Sequence, residues 1–138
     1  MMFCVRCGGK VKPVARPGRT KRFQAVAALP IPADFPIPTC VRCCSEYPGP
    51  RLIEQLARVL QPIYQEWLQL AAAALIEQIC ASTSQRKVEL ILGISQGYFS
   101  RLKARAGKPS SALVALLYLL GKPGALRDVE RFFAGLTK

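Results

Sequence analysis

The chain has 138 residues, with 20 Lys and Arg, 8 Asp and Glu and no histidine, so its formal net charge is +12. This length accommodates one medium domain or two small ones. We expect no enzyme activity, because a chain without histidine or a Gly-rich phosphate loop offers no evident group for acid–base catalysis or phosphoryl transfer. The closely spaced carboxylates Asp128 and Glu130 are typical of a solvated helix face. The positive charge favours a polyanionic partner, with a merely basic soluble surface as the alternative.

The composition changes near residue 50. Residues 1–50 are rich in Pro, Gly, Arg and Cys and poor in large aliphatic side chains, so they need an additional cross-link to fold. From residue 51 onward Leu, Ala, Ile, Gln and Glu recur at helical spacing. The sequence therefore predicts a mainly α protein in three parts. These are a zinc-binding domain with short strands over 1–50, a helical linker or dimerisation region over 51–81, and an all-helical helix-turn-helix DNA-binding domain over 82–138.

The chain carries no sign of export or membrane insertion. Its N-terminus lacks a basic region followed by a long apolar run. The most apolar window, 67–79, is interrupted by polar residues and is shorter than the ~20 residues that span a bilayer. We therefore expect a cytoplasmic protein without a membrane partner.

Two Cys-Val-Arg-Cys segments predict a metal site whose ligands are Cys4, Cys7, Cys40 and Cys43. Two such turns supply the tetrahedral thiolate shell that zinc prefers, and a closed shell leaves no position for a catalytic water, so the zinc would be structural. A disulfide framework or a redox Cys-x-x-Cys fits a reducing cytosol and this Pro-broken context less well. Cys44 directly follows Cys43 and could replace it, although the spacing favours Cys43.

The segments around these cysteines give weaker signals. Residues 22–27 alternate loosely and predict a strand, whereas the prolines of 29–38 predict extended loops, because proline donates no ladder hydrogen bond. A helix follows residue 50 and is kinked or ended at Gln61-Pro62. A second helix over 63–79 ends near Cys80, which we expect to behave as a small buried hydrophobe.

Residues 82–102 resemble a helix-turn-helix. Val88 and Leu92 would face inward, Gly93 would make the turn and Ile94 would plug it. In the second helix Phe99 and Leu102 would face the core, with Ser95 as its N-cap.

One residue departs from this pattern. Glu89 stands where such motifs prefer a small residue, and it would either crowd the helix crossing or turn outward toward Lys87 or Arg86. The alternative interpretation of the whole segment is a helical hairpin without a DNA role.

The predicted DNA-binding residues share an outward position on the motif or a positive charge after it. They are Gln85, Ser95, Gln96, Gly97, Tyr98, Ser100, Arg101, Lys103, Arg105 and Lys108.

The order of a two-knuckle Cys4 module and a lambda-repressor-like (XRE) helix-turn-helix resembles the MqsA-type antitoxins of bacterial toxin–antitoxin operons. The resemblance rests on the two Cys-x-x-Cys pairs, the basic Gly18-Arg19-Thr20-Lys21 segment, residues 93–101 and the Pro109-Ser110-Ser111 segment with its following helix. The sequence departs from the family pattern in the Pro-rich 29–38 stretch and in the long Ala-rich helix.

This resemblance implies a homodimer that binds a palindromic operator in its own promoter, represses it, and grips a toxin with the zinc domain. It also implies that Arg101 reads bases, because the arginine fork suits guanine O6 and N7. The base-reading asparagine of the family is matched by Gly97, so Gln96, Tyr98 or Ser100 would substitute for it.

Three hypotheses follow. The first is a sequence-specific, autoregulatory DNA-binding repressor of antitoxin type. The second is a protein-interaction module that neutralises a toxin, or a phage or mobile-element regulator without one. The third is an RNA- or ribosome-associated zinc module, suggested by the basic stretch from Lys10 to Arg22.

Overall fold

The computed structural model describes residues 2–136, as five short strands followed by five helices. The strands are β1 Met2–Phe3, β2 Lys10–Val14, β3 Thr20–Phe23, β4 Val26–Pro30 and β5 Ile37–Cys40. The helices are α1 Pro50–Cys80, α2 Gln85–Leu92, α3 Tyr98–Lys103, α4 Ser111–Leu120 and α5 Ala125–Gly135. The coarse prediction of a small strand region with clustered cysteines followed by helices is confirmed.

The chain divides into two compact units within α1. One unit ends at Tyr64 and is here called the strand unit, and the other begins at Gln65 and is called the helical unit.

The strand unit contains two antiparallel sheets. One has the order β1-β2-β5 and the other pairs β3 with β4. Its buried aliphatic and aromatic residues come from the strands, from the loop after β4 and from the start of α1, and they are Leu29, Ile31, Ile37, Leu56, Leu60 and Tyr64. The rings of Phe23 and Tyr64 meet edge to face, with centroids 5.5 Å apart. This core is small for a unit of its length, which is consistent with a unit that needs a further cross-link.

The prediction that residues 29–38 form only loops is wrong. β4 runs through Leu29 to Pro30, and Pro38 lies inside β5. Pro38 faces Pro13 of β2. Since neither proline can donate, the two must face each other at a non-hydrogen-bonded position of the antiparallel ladder, where no N–H is required. The pairing of β2 with β5 thus accommodates both prolines. A shift of the register by one residue would place one of them at a hydrogen-bonded position, where it would leave a ladder bond unmade.

Helix α1 does not end at Gln61-Pro62, but continues through Pro62 for 31 residues in all. An internal proline costs a helix about 3 kcal/mol. Side chains on either side of Pro62 are buried, and this packing offsets the loss. The buried positions recur every four residues as Leu56, Leu60, Tyr64, Leu68, Ala72 and Ile76.

The helical unit has one apolar core drawn from α1, α2, α3 and α4, and partly buried side chains of α5 pack against it. The core consists of Ala72, Ile76, Ile79, Val88, Phe99, Leu102, Leu117 and Leu120, and Cys80 packs against it half-buried. Ser84 and Ser110 cap α2 and α4 by accepting backbone N–H bonds at 3.2 and 3.1 Å. Gln65 and Gln69 of α1 donate to the carbonyls of Pro109 and Gly107, at 3.0 and 2.7 Å. The second half of α1 is therefore an integral part of this unit.

Within residues 2–136, none of the helices combines the length with the apolar character that crossing a bilayer requires.

Candidate metal centre and candidate nucleic-acid interface

Four cysteine sulfurs converge in the strand unit, where the turn after β1 meets the end of β5. The Sγ atoms of Cys4, Cys7, Cys40 and Cys43 all lie within 4.8 Å of one another. Cys4 and Cys43 are 3.5 Å apart, and Cys7 and Cys40 are 3.4 Å apart. A tetrahedral ion with metal–sulfur bonds of about 2.3 Å needs sulfurs about 3.8 Å apart. The four residues that the spacing predicts are therefore arranged so that they could hold one metal ion.

The two Cys-Val-Arg-Cys turns have the same local geometry. The Arg6 N–H donates to Cys4 Sγ at 3.4 Å, and the Arg42 N–H donates to Cys40 Sγ at 3.4 Å. Such N–H groups stabilise a thiolate, which is the form that binds a metal. Each turn thus supplies a donor to the sulfur that begins it.

Cys44 occupies in the second turn the place that Gly8 occupies in the first. The Gly8 N–H bonds the Cys4 carbonyl at 2.8 Å, and the Cys44 N–H bonds the Cys40 carbonyl at 3.1 Å. Both residues are left-handed, with φ of 73° and 61°. The Cys44 side chain is exposed and does not belong to the sulfur cluster. Its role in the backbone is to close the turn.

Gly9 has a steric role that the sequence reasoning missed. A Cβ at this position would lie 2.9 Å from Cys40 Sγ and 3.1 Å from Arg42 Cγ. Contacts this short are not tolerated, so any side chain at position 9 displaces a sulfur of the cluster. The adjacent glycines after the first knuckle are the sequence signal that could have revealed this constraint.

The surroundings of the cluster favour thiolates unevenly. The Tyr47 hydroxyl lies 3.0 Å from Cys4 Sγ and, as the main cause, lowers the pKa of Cys4 to about 6. The side chain and backbone of Ser45 lower the pKa of Cys43. The Gly9 N–H favours the Cys7 thiolate, but hydrogen bonding with Cys40 and burial outweigh it and raise the pKa of Cys7 to about 11. A bound cation would reverse this, since a coordinated thiol is deprotonated.

Arg19 is buried beside the cluster, although the sequence grouped it with the basic stretch. It is only 7% exposed. Its Nε donates to Glu46 Oε1 at 2.9 Å, its Nη1 to the Val14 carbonyl at 2.6 Å, and its Nη2 to Thr39 Oγ1 at 3.1 Å. The Phe35 carbonyl accepts a longer bond of 3.3 Å. Arg19 therefore cross-links four segments of the strand unit.

The bond to Thr39 connects Arg19 to the sulfur cluster, because Thr39 directly precedes Cys40 in β5. Thr39 in turn donates to the Ile37 carbonyl at 2.8 Å. The guanidinium thus braces the strand that carries the third cysteine.

In the helical unit, α2 and α3 meet at a tight turn. Val88, Phe99 and Leu102 are fully buried, and Leu92 and Ile94 pack against the same core. Gly93 ends α2 with φ 69°, a conformation that other residues resist. The inward positions are those of the helix-turn-helix pattern in the sequence.

The prediction that Ser95 caps α3 is wrong, and so is the alternative that Glu89 turns outward toward Lys87 or Arg86. Helix α3 begins only at Tyr98, its N-cap is Gly97, and no side chain of that residue caps it. Instead Glu89 turns inward from α2, is 1% exposed, and its Oε2 accepts the Phe99 N–H at 3.1 Å. The Glu89 carboxylate thus caps α3 in place of a side chain at the N-cap position. This hydrogen bond explains why a residue as large as Glu is accommodated where α2 crosses α3.

The predicted DNA-binding residues fall into an exposed set and a half-buried set. Ser95, Gln96, Ser100, Arg101, Lys103, Arg105 and Lys108 are exposed, whereas Gln85, Gly97 and Tyr98 are half-buried. The structure joins some of them directly. Gln85 donates to Ser100 Oγ at 2.8 Å, and the Arg101 guanidinium lies 5.6 Å from the Tyr98 ring centroid. Arg105 and Lys108 lie after the end of α3.

Comparison of the chain with known protein families, with curated proteins and with solved structures found no match. The resemblance to MqsA-type antitoxins therefore stays a prediction.

Proposed function

We propose that the protein is a sequence-specific DNA-binding regulator whose strand unit is held together by a structural zinc ion. The observation that carries this proposal is the α2–Gly93–α3 arrangement. The buried side chains of Phe99 and Leu102 hold the short α3 against the core, and Arg101 lies on its exposed side. A recognition helix needs such a fixed position, because base readout depends on the placement of a few side chains.

Zinc is the metal that best suits the strand unit. Four thiolates in a tetrahedral arrangement, with no histidine or carboxylate among them, are the donor set of structural zinc sites. Such a shell leaves no open position for a water or substrate. A reducing cytoplasm, where we place the protein, would keep these thiols available for the metal. The ion would supply folding energy rather than chemistry.

Arg101 is the residue best suited to read a base. Its guanidinium lies over the Tyr98 ring at cation–π distance, which restrains a flexible side chain before DNA arrives. Its fork can bond guanine O6 and N7 together. Ser100 is engaged by Gln85, so Gln96 is the more accessible companion. Lys103, Arg105 and Lys108 would contact phosphates.

We further propose that the protein acts as a homodimer that represses its own promoter. A six-residue α3 offers few contacts, and helix-turn-helix proteins commonly gain affinity by binding two half-sites. The last helices carry exposed large apolar side chains that a second copy could cover, namely Leu116, Leu119, Phe132, Phe133 and Leu136.

The test is binding of the zinc-loaded protein to its own upstream DNA and to a scrambled duplex at near-physiological salt. We expect selective binding as a dimer. Arg101→Ala should lose about 1–3 kcal/mol, or about 5- to 150-fold in affinity, and should discriminate less between the two duplexes. Arg58→Ala, an exposed arginine on α1, is the matched control and should bind as the wild type does. Full selective binding by Arg101→Ala would refute the proposed readout.

A second candidate function is neutralisation of a protein partner such as a toxin by the strand unit. The observation that favours it is the exposure of apolar side chains at and beside the knuckles, since Val5 is 87%, Val41 57% and Phe3 54% exposed. Exposed apolar side chains that lie together are typical of protein-interaction sites. A small toxin-like reading frame beside the gene, and co-purification of its product, would support this function. Neighbouring phage or mobile-element genes would favour a regulator that acts alone.

A further inference from the structure

We propose that the strand unit carries a second DNA-binding surface, which contacts phosphates through Lys10, Lys12, Lys21 and Arg22. These four residues are called the strand cations. The inference rests on the proposed DNA-binding function and adds a contact that the α2–α3 region does not supply.

The charge of the strand unit is strongly unbalanced. Residues 1–64 contain ten Lys and Arg against three Asp and Glu, a surplus of seven. Four thiolates with one divalent ion would reduce that surplus by only two. The unit therefore stays cationic with its metal bound, and a cationic surface attracts polyanions over a distance of about a Debye length.

The structure separates the basic stretch into buried and available charges. Glu46 accepts from both Arg16 and Arg19, at 3.2 and 2.9 Å. Both arginines thus share one carboxylate, which offsets one of their two charges, and Arg19 is buried. Within residues 2–136 the strand cations take part in no ion pair, and all four are exposed. They are the part of the basic stretch that can meet a ligand.

The strands fix the spacing of these charges. Lys10 and Lys12 are two residues apart on β2, so they project from the same face about 6.6 Å apart. Lys21 and Arg22 lie on β3, where the register against β4 shifts between Lys21 and Phe23. Arg19 connects the start of β3 to the end of β2 through the Val14 carbonyl. Duplex DNA carries one charge per about 1.7 Å of its axis, so phosphates are dense enough to meet cations at this spacing.

The surface around the strand cations suits phosphates better than a protein. Protein interfaces are anchored by buried aromatic and aliphatic side chains. The exposed large apolar residues of the strand unit lie in β1, in the knuckles and in α1, and none of those described lies on β2, β3 or β4. Phe3 of β1 is paired with Lys10, so an apolar side chain borders the strand cations at that end, whereas Lys21 and Arg22 have no such neighbour on their own sheet. A lysine- and arginine-rich surface with apolar residues only at its edge offers a protein little to anchor on. Duplex DNA, by contrast, is bound chiefly by charge neutralisation and counterion release.

The experiment measures the salt dependence of binding to a long duplex centred on the upstream DNA, with the full-length, zinc-loaded protein. The test variants are Lys10→Gln/Lys12→Gln and Lys21→Gln/Arg22→Gln. The matched control is Arg51→Gln/Arg58→Gln, which removes the same charge from exposed positions on α1 of the same unit. Zinc content and the thermal midpoint verify that each variant is folded.

Each test variant should lower the slope of log affinity against log salt by about 1.8, because each phosphate contact contributes about 0.9. The affinity ratio between 50 and 200 mM salt should then shrink about tenfold, while discrimination between upstream and scrambled DNA stays the same. The control should keep the wild-type slope. Unchanged slopes in both test variants would overturn the inference. So would variants that lose binding to single-stranded DNA or structured RNA but not to duplex DNA.

Failure of the proposed function looks different. A wild-type protein that binds upstream and scrambled duplexes equally would refute sequence-specific regulation. The slopes of the test variants on either duplex would still decide whether the strand cations contact phosphates.

Discussion

Replacement of Arg19 by methionine should weaken zinc binding, although Arg19 is not a ligand. Methionine keeps the unbranched apolar stem of the side chain but removes every N–H donor. The change removes the hydrogen bonds that the buried Thr39 hydroxyl and the Val14 carbonyl accept from Arg19 at 3.1 and 2.6 Å. It also breaks the 2.9 Å ion pair with Glu46.

The cost can be estimated from these contacts. The net contribution of a hydrogen bond is about 0.5–1.5 kcal/mol, and we take about 1 kcal/mol for each of the two that are lost. The Glu46 side chain is 33% exposed and regains water when its partner is lost, so its pair contributes about 1 kcal/mol after screening. The sum is about 3 kcal/mol. A small unit that is held together by a metal folds as it binds the ion. The loss of about 3 kcal/mol of stability therefore lowers the zinc affinity by roughly 150-fold.

The assay is a zinc competition titration against a chromophoric chelator at neutral pH, with far-UV circular dichroism to follow folding. Arg22→Met is the matched control, since Arg22 is exposed and makes no ion pair within residues 2–136. It should change the zinc affinity less than threefold. If Arg19→Met binds zinc as tightly as the wild type and melts at the same temperature, the bracing role of Arg19 is refuted.

Two further predictions concern single side chains. Cys43→Ser should reduce zinc retention on dialysis against a weak chelator, whereas Cys44→Ser should keep a full equivalent of zinc; the reverse result would make Cys44 the ligand. Glu89→Gln keeps an oxygen for the Phe99 N–H and should bind operator DNA within about threefold of wild type, whereas Glu89→Ala leaves that buried donor unsatisfied. The alanine variant should lose about 1–3 kcal/mol of stability, which lowers the thermal midpoint by several degrees, and it should bind operator DNA more weakly. A midpoint and an affinity equal to those of the wild type would contradict the capping role of Glu89.

The features that the sequence predicted are those that depend on local geometry. A Cys-x-x-Cys turn fixes two sulfurs within a few residues, so only the meeting of the two turns depends on the fold. The inward positions of α2 and α3 follow from helical periodicity, and Gly93 follows from the left-handed turn that ends α2. These parts needed no knowledge of distant residues.

The features that the sequence did not predict depend on partners far along the chain. Arg19 reads as one more surface cation until Glu46, 27 residues away, and the Thr39 hydroxyl are seen beside it. Glu89 violates a preference for small residues, and its compensation is the N–H of Phe99, ten residues later. Pro38 is accommodated by the register of β5 against β2, which no local propensity encodes. In each case tertiary contacts override the local rule.

The separation of the two knuckles along the chain sets the order of events during synthesis. Cys4 and Cys43 are 39 positions apart, so closing this loop costs roughly 3 kcal/mol of chain entropy. At about 5–20 residues per second, the first knuckle waits roughly 2–8 seconds for the second to be made. During that interval it offers only two thiols, which bind a metal weakly and are open to oxidation. With the proposed zinc site, the yield of folded protein should therefore follow the free zinc and the redox state of the cell during translation.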